Sequence, residues 1–92
     1  MQNFDFFPAK VVAKSLNVHW AWLRDRRLRG QFIEGIHYRK VPGIREYCFC
    51  ETLVRDWINC GGDLIAHQPA IDSYLLATGR IKHRGEAYVM QT

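Results

Sequence analysis

Two helical patterns separated by only two residues place the strongest constraint on how this chain can fold. Residues 8–16 carry apolar side chains at i, i+3, i+4 and i+7, which is one face of a helix. Pro8 suits the first turn, because its missing N–H would have no helical partner there. Asn17 is typical of a left-handed helix end, and a second helix is predicted over residues 19–29. Val18 would then fill the angle between two helices joined by a very short turn.

The second helix presents two faces that differ in composition. A helical projection places its apolar residues mainly on one side, which we expect to face the core, with arginine stems lying along it. This predicted core face carries Trp20, Leu23 and Arg27, flanked by Arg24 and Leu28. The predicted exposed face carries Trp22, Arg26 and Arg29.

Residues 36–50 have the composition of a β-hairpin, with β-branched and aromatic residues on both sides of Pro42-Gly43. Proline and glycine suit the two central positions of a turn, but a strict two-residue loop of this type would splay the strands, so a longer loop is expected. With an even-length loop, one face carries Ile36, Tyr38, Lys40, Arg45, Tyr47 and Phe49, and the opposite face carries Arg39 and Glu46. An odd-length loop would change which faces meet.

The rest of the chain predicts two further helices. Residues 51–60 carry a compact apolar stripe that includes Trp57, an expected core residue, and Gly61-Gly62 ends this helix. Residues 63–68 are expected to be a connector, and Pro69 to open a helix near 69–78, followed by a partly ordered tail over 80–92. This predicts an α+β domain over residues 1–62 and a C-terminal extension over 63–92.

Length and charge limit the possible functions. A chain of 92 residues has room for one domain. It lacks both an apolar stretch long enough to span a bilayer and the pattern of a secretory signal, so we expect no membrane association and a cytoplasmic location. Residues 8–50 carry nine basic against three acidic residues, whereas residues 51–79 carry one against four. The basic segment followed by an acidic one suggests that one face of the protein binds a polyanion, although solvated surface charge is the simpler alternative.

The order of helix, short turn, basic helix, hairpin and helix is that of a winged helix-turn-helix. The major groove of B-DNA admits one α-helix, whose side chains can contact base edges. A hairpin with a basic tip can contact the neighbouring minor groove or its phosphates. The pattern therefore predicts a nucleoid-associated protein that binds double-stranded DNA.

The chain also resembles a known family over about residues 8–59. The segment GIHYRKVPGIREY, running into a helix that contains LVRDW, is similar to the excisionase group of the MerR-like winged-helix superfamily. This resemblance implies a non-catalytic DNA-binding protein. Such a protein would bind cooperatively, bend DNA and direct an integrase towards excision, and some members also repress transcription. The positions that the resemblance assigns to DNA binding are His19, Trp20, Trp22, Arg24, Arg26 and Arg27 in the second helix, and Arg39, Lys40 and Arg45 in the wing.

Each predicted DNA-binding group also has a structural alternative. Arg29 joins the arginines of the second helix, whose alternative role is solvated charge on a surface helix. Lys10 and Lys14 are predicted phosphate contacts that could equally be solvated. The basic residues of the wing could instead protect a strand edge from aggregation. Trp22 could stack on DNA, but packing in the core is favoured.

Metal and enzyme functions find little support in the sequence. Cys48 and Cys50 with Cys60 and His37 lack the C-x2-C spacing of structural zinc sites, so no metal site or cofactor is predicted. Three cysteines are better explained as free thiols, buried as small apolar residues. No catalytic motif or phosphate-binding glycine loop is present, so no enzyme is predicted.

Three functions follow, in order of preference. The first is an excisionase-like factor with an integrase or recombinase partner and self-association on DNA. The second is a winged-helix transcriptional regulator without a recombinase. The third is a protein-interaction module whose basic face binds an acidic protein.

Overall fold

Four helices and a three-stranded antiparallel sheet form an α+β fold over residues 4–79, the part of the chain that the computed structural model describes. The tail expected over residues 80–92 lies outside the described residues. In chain order the elements are β1 (Phe6–Pro8), α1 (Ala9–Leu16), α2 (Trp20–Leu28), β2 (Tyr38–Arg39), β3 (Cys48–Cys50), α3 (Glu51–Asn59) and α4 (Leu64–Ala77). No helix among these residues is long and apolar enough to cross a bilayer.

The short turn between α1 and α2 confirms the prediction from the sequence. Asn17 adopts the left-handed conformation, with φ 63°. The N–H of Val18 donates to the carbonyl of Ala13 at 2.9 Å, which closes the end of α1. His19 then caps α2, because its Nδ1 accepts the N–H of Ala21 at 3.0 Å. Pro8 lies one residue outside α1, at the end of β1, rather than inside the helix.

The sheet is built around β3, with β1 and β2 on either side of it. Tyr38 pairs with Phe49, as the even-length register predicts. The hairpin expected over residues 36–50 is much shorter than predicted. The carbonyl of Val41 accepts the N–H of Ile44 across Pro42-Gly43. A turn with proline and glycine at these positions splays its strands, so the ladder stops before it reaches the turn. Strand β1 was not predicted at all.

Helix α4 begins five residues earlier than the sequence predicts, and residues 63–68 do not form a connector. The carboxylate of Asp63 accepts the N–H groups of Ile65 and Ala66, at 2.9 and 3.4 Å, and so starts the helix at Leu64. Pro69 consequently lies inside the helix and leaves the carbonyl of Ile65 without its helical donor. Ile65 is 86% exposed, so water can satisfy that carbonyl.

The core corrects the predicted orientation of α2. Leu23 is fully buried, as expected, and so is nearly all of Trp57. Trp20 is 39% exposed and Leu28 66% exposed, so the predicted core face is wrong at these two positions. Trp22 packs edge-on against Trp57 and Phe32, which agrees with the favoured prediction of core packing but not with its place on the predicted exposed face; Arg26 beside it is half-buried. Phe32 and Trp57, which pack against this face, lie outside α2, so a helical projection of α2 does not include them.

Candidate nucleic-acid interface

A groove of about 420 Å³ lies between the start of α1, the exposed face of α2 and the loop that joins β2 to β3. We call it the basic groove. Four cationic side chains line it against a single carboxylate, Glu46. Its lining residues are Ala9, Lys10, Trp20, Arg24, Arg27, Arg45, Glu46, Tyr47 and Phe49. Cations from three separate elements therefore converge on one surface with an aromatic floor.

Trp20 and Arg24 form the α2 side of the basic groove. They lie one helical turn apart, and the Arg24 Cζ atom is 5.1 Å from the centroid of the Trp20 ring. Arg24 also lies 3.7 Å from the carboxylate of Asp25. Both charges of that pair are about half exposed, so the ion pair holds Arg24 only weakly. The guanidinium is therefore supported by an aromatic face and remains accessible to an anion.

Tyr47 connects the β2–β3 loop to the two helices. The Arg27 Cζ atom lies 4.1 Å from the centroid of the Tyr47 ring, and the Lys40 Nζ atom lies 5.1 Å from it. Lys40 also donates to the carbonyl of Arg45 at 2.6 Å. The carbonyl of Tyr47 accepts the N–H of Ala9 from α1. These contacts fix the loop relative to α2 before any ligand binds.

Several predicted DNA-binding residues lie away from the lining of the basic groove. Arg26 stacks over Trp22, at 5.6 Å from the ring centroid, on the side of α2 that packs on the core. Arg39 lies over the ring of Phe6, at 4.2 Å. Arg29 follows the last turn of α2, and Lys14 lies in the last turn of α1. His19 acts as the cap of α2, with its ring 5.5 Å from that of Trp20.

Tyr47 lines the basic groove, although it is not among the predicted DNA-binding residues. The even-length register places Tyr47 on the same hairpin face as Lys40 and Arg45. In the structure Lys40 lies over the Tyr47 ring and donates to the backbone carbonyl of Arg45, and Arg45 and Tyr47 both line the groove. An aromatic residue flanked by cations on one strand face was therefore the signal that could have identified it. Phe49, on the same face, is nearly fully buried beneath the groove.

A second polar cluster lies in the interior, where His37 and His67 are both fully buried. The N–H of Ile33 donates to Nδ1 of His37 at 2.9 Å, so the proton of a neutral His37 must lie on Nε2. That proton points to Nε2 of His67, which is 2.9 Å away. Nδ1 of His67 then donates to the carboxylate of Asp56 at 2.7 Å. When both rings are neutral, every N–H donor in this series of hydrogen bonds has an acceptor.

Burial lowers the pKa of His37 from 6.5 to about 4, with the neighbouring His67 as the smaller cause. At neutral pH His37 is therefore uncharged. The backbone carbonyl of His37 accepts the N–H of Cys50, which holds this residue against β3. The histidine pair joins α4, through His67, to the segment that leads into β2.

Cys60 extends the same cluster towards the surface. Its thiol donates to the Asp56 carboxylate at 3.5 Å, and desolvation together with this hydrogen bond raises the pKa of the thiol. The ligand atoms of Asp56, Cys60 and His67 lie within 4.8 Å of one another. Cys48 and Cys50 are buried in β3, as expected for small apolar residues, and are not part of this group.

Comparison of the chain with known protein families, with curated proteins and with solved structures finds no match. The functional interpretation therefore depends on the residues of this chain. Two features of the structure can indicate a function. One is the basic groove on the surface, and the other is the buried polar cluster between α3 and α4.

Proposed function

We propose that this chain is a sequence-specific double-stranded DNA-binding protein with a winged helix-turn-helix fold. In this proposal α2 is the recognition helix, and the β2–β3 hairpin with its loop is the wing. The observation that carries the proposal is the basic groove, in which four cations from α1, α2 and the loop surround one carboxylate. Binding involves no catalysis and no cofactor.

The exposed face of α2 supports insertion into the major groove of DNA. Trp20, Arg24 and Arg27 lie on this face at spacings of four and three residues, so they project in one direction. An arginine fork can donate two hydrogen bonds to a guanine edge, which is the commonest specific contact in this groove. The aromatic supports under Arg24 and Arg27 favour this geometry, because they limit the rotamers available before binding.

The remaining cations of the site suit contacts with phosphates. Lys10 lies in the first turn of α1, and Arg45 lies in the loop that joins β2 to β3; both side chains line the basic groove beside α2. A helix in the major groove brings both flanking elements close to the DNA backbone. With about five phosphate contacts, the logarithm of the binding constant should fall with the logarithm of salt concentration with a slope of about −4 to −5.

Within DNA binding, the role that we propose is excisionase-like control of site-specific recombination. The resemblance of residues 8–59 to that family supports it. A single small domain gains specificity by binding as several adjacent copies, so self-association on DNA and a recombinase partner are part of this proposal. A transcriptional regulator would use the same DNA-binding surface. Loss of element excision after deletion of the gene would distinguish the two roles.

The first experiment is a DNA-binding titration with genomic fragments from around the gene, with random duplex as competitor, at two salt concentrations. Tight, cooperative binding to one fragment is the expected result. Equal binding to all DNA sequences would mean that the basic groove attracts DNA only through its charge. Binding to no fragment would refute the proposal and direct attention to an acidic protein partner.

A set of matched arginine variants tests the proposed surface. The variants Arg24→Ala and Arg27→Ala should each weaken specific binding about tenfold or more and relax the sequence preference, because both arginines are proposed to contact base edges. Arg29→Ala removes the same charge from the residue that follows α2, but the Arg29 side chain does not line the basic groove. It should have a much smaller effect. Equal effects of all three variants would show that only total charge matters.

A further inference from the structure

Three side chains that commonly bind metals meet where the end of α3 packs against the start of α4. Asp56 and Cys60 lie one turn apart at the end of α3, and His67 lies in the first turns of α4. Their ligand atoms all lie within 4.8 Å of one another. We propose that Asp56, Cys60 and His67 bind a zinc-like divalent cation, with water as a fourth ligand. This inference is independent of the proposed DNA binding, and it departs from the expectation that the chain has no metal site.

The chemistry of the three ligands suits zinc or cobalt. Thiolate, imidazole and carboxylate are the three ligand types of zinc sites, with bonds of about 2.0–2.3 Å. The thiolate of Cys60 and the carboxylate of Asp56 together neutralise a divalent ion. Around a tetrahedral ion, neighbouring ligand atoms are separated by roughly 3.3–3.8 Å. The Sγ–Oδ2 distance of 3.5 Å already has this value, whereas the Nδ1–Oδ2 distance of 2.7 Å must increase by roughly 0.6 Å.

The backbone holds these ligands in place and leaves one side of the site accessible. The N–H of Cys60 donates to the carbonyl of Asp56 at 2.9 Å, and the N–H of His67 donates to the carbonyl of Asp63 at 3.0 Å. The imidazole of His67 is fully buried, so it is the fixed ligand. The side chain of Asp56 is 39% exposed, which provides both the small movement that the ion requires and access for the ion and its water.

Metal binding would rearrange the protons of the histidine pair. A cation on Nδ1 of His67 requires its proton to lie on Nε2, facing Nε2 of His37. His37 must then accept there and carry its own proton on Nδ1, so it loses the hydrogen bond from Ile33. The two rings keep two protons between them, and the one net proton released comes from Cys60. The lost buried hydrogen bond weakens binding about 10- to 100-fold, so we expect a Kd on the order of micromolar rather than nanomolar.

The test uses the full chain, stripped of metal with a chelator and titrated with Co²⁺. The expected result is a thiolate-to-cobalt charge-transfer band that disappears when Zn²⁺ is added. Binding should also raise Tm, by an amount that grows with the logarithm of free Zn²⁺ above the Kd. Calorimetry in buffers of different ionisation enthalpy should report the release of one proton per ion.

Two variants and one control decide the outcome. Cys60→Ser keeps a hydrogen-bond donor for Asp56 but removes the thiolate, and Asp56→Asn removes the carboxylate charge. Both should lose the Zn²⁺-dependent rise in Tm, and Cys60→Ser should lose the charge-transfer band. Asp72→Asn removes a carboxylate from α4 outside the cluster and should behave like the wild type. The absence of the band in the folded wild type at millimolar Co²⁺, or an equal band in Cys60→Ser, would overturn the proposal.

Discussion

Acid should destabilise this fold through one buried side chain, His37. Its pKa is about 4 in the folded protein against 6.5 for an exposed histidine, because burial disfavours the charged ring. At a pH between these two pKa values, the His37 side chain binds a proton in the unfolded chain but stays neutral in the folded protein. The contribution of His37 to stability is therefore complete above pH 6.5, declines as the pH falls, and is lost at about pH 4 and below.

The size of the effect follows from the same two values. A pKa lowered from 6.5 to about 4 corresponds to about 3 kcal/mol of unfolding free energy, with a maximum slope of about 1.4 kcal/mol per pH unit. Domains of this size have a total stability of roughly 5–10 kcal/mol. Protonation of His37 alone would thus remove a large share of the stability.

The assay is urea denaturation of the chelator-treated protein at several pH values from 7 to 4, followed by tryptophan fluorescence. Trp57 and Trp22 pack in the core, so their emission reports unfolding. His37→Asn keeps an acceptor for the N–H of Ile33 but removes the titrating ring, and it should show a shallower pH dependence. If His37→Asn retains the full wild-type slope, the assignment of this loss to His37 is wrong.

Three further substitutions have defined outcomes. Asp63→Ala should lower the unfolding free energy by about 1 kcal/mol in urea denaturation, while Asp63→Asn retains the cap of α4; equal losses would contradict the capping role. Tyr74→Phe removes a hydrogen bond of 2.9 Å to the carbonyl of Gly35, and the same assay should show a loss of about 1 kcal/mol. An unchanged stability would mean that water replaces the hydroxyl. Tyr47→Leu should weaken specific DNA binding about two- to fivefold, because the support of Arg27 is lost, whereas Tyr47→Phe should bind normally; a loss in both would implicate the hydroxyl instead.

The parts of the fold that were predicted correctly depend on local physics. Asn17 ends α1 because its side chain tolerates the left-handed conformation, and this requires no distant partner. Gly61 and Gly62 end α3 with positive φ values, which glycine adopts without steric cost and without a distant partner. The pairing of Tyr38 with Phe49 matches the even-length alternative for the hairpin loop, although the sequence leaves the parity of that loop open.

Strand β1 was missed because its existence depends on a distant partner. Its three residues are too few to show an alternating pattern, and they pair with β3, at least forty positions away in the sequence. Helix α4 was misplaced for a different reason. Proline is typical of a helix start, and Asp63 offered a competing start five residues earlier. The capping hydrogen bonds favoured Asp63, and exposure of Ile65 reduced the penalty of a proline inside the helix.

The orientation of α2 shows why the candidate site was only partly predictable. Tryptophan and arginine are both amphipathic, so either face of this helix could be packed or exposed, and no projection of α2 alone can decide between them. Phe32 and Trp57 determine the orientation of α2, because they pack edge-on against Trp22 and so turn Trp20 outwards. That rotation brings Arg24 and Arg27 to the basic groove and takes Arg26 away from it. The two alternatives predict different binding surfaces, so Arg26→Ala should affect specific DNA binding much less than Arg27→Ala. The opposite order would mean that the protein presents the other face of α2 to DNA.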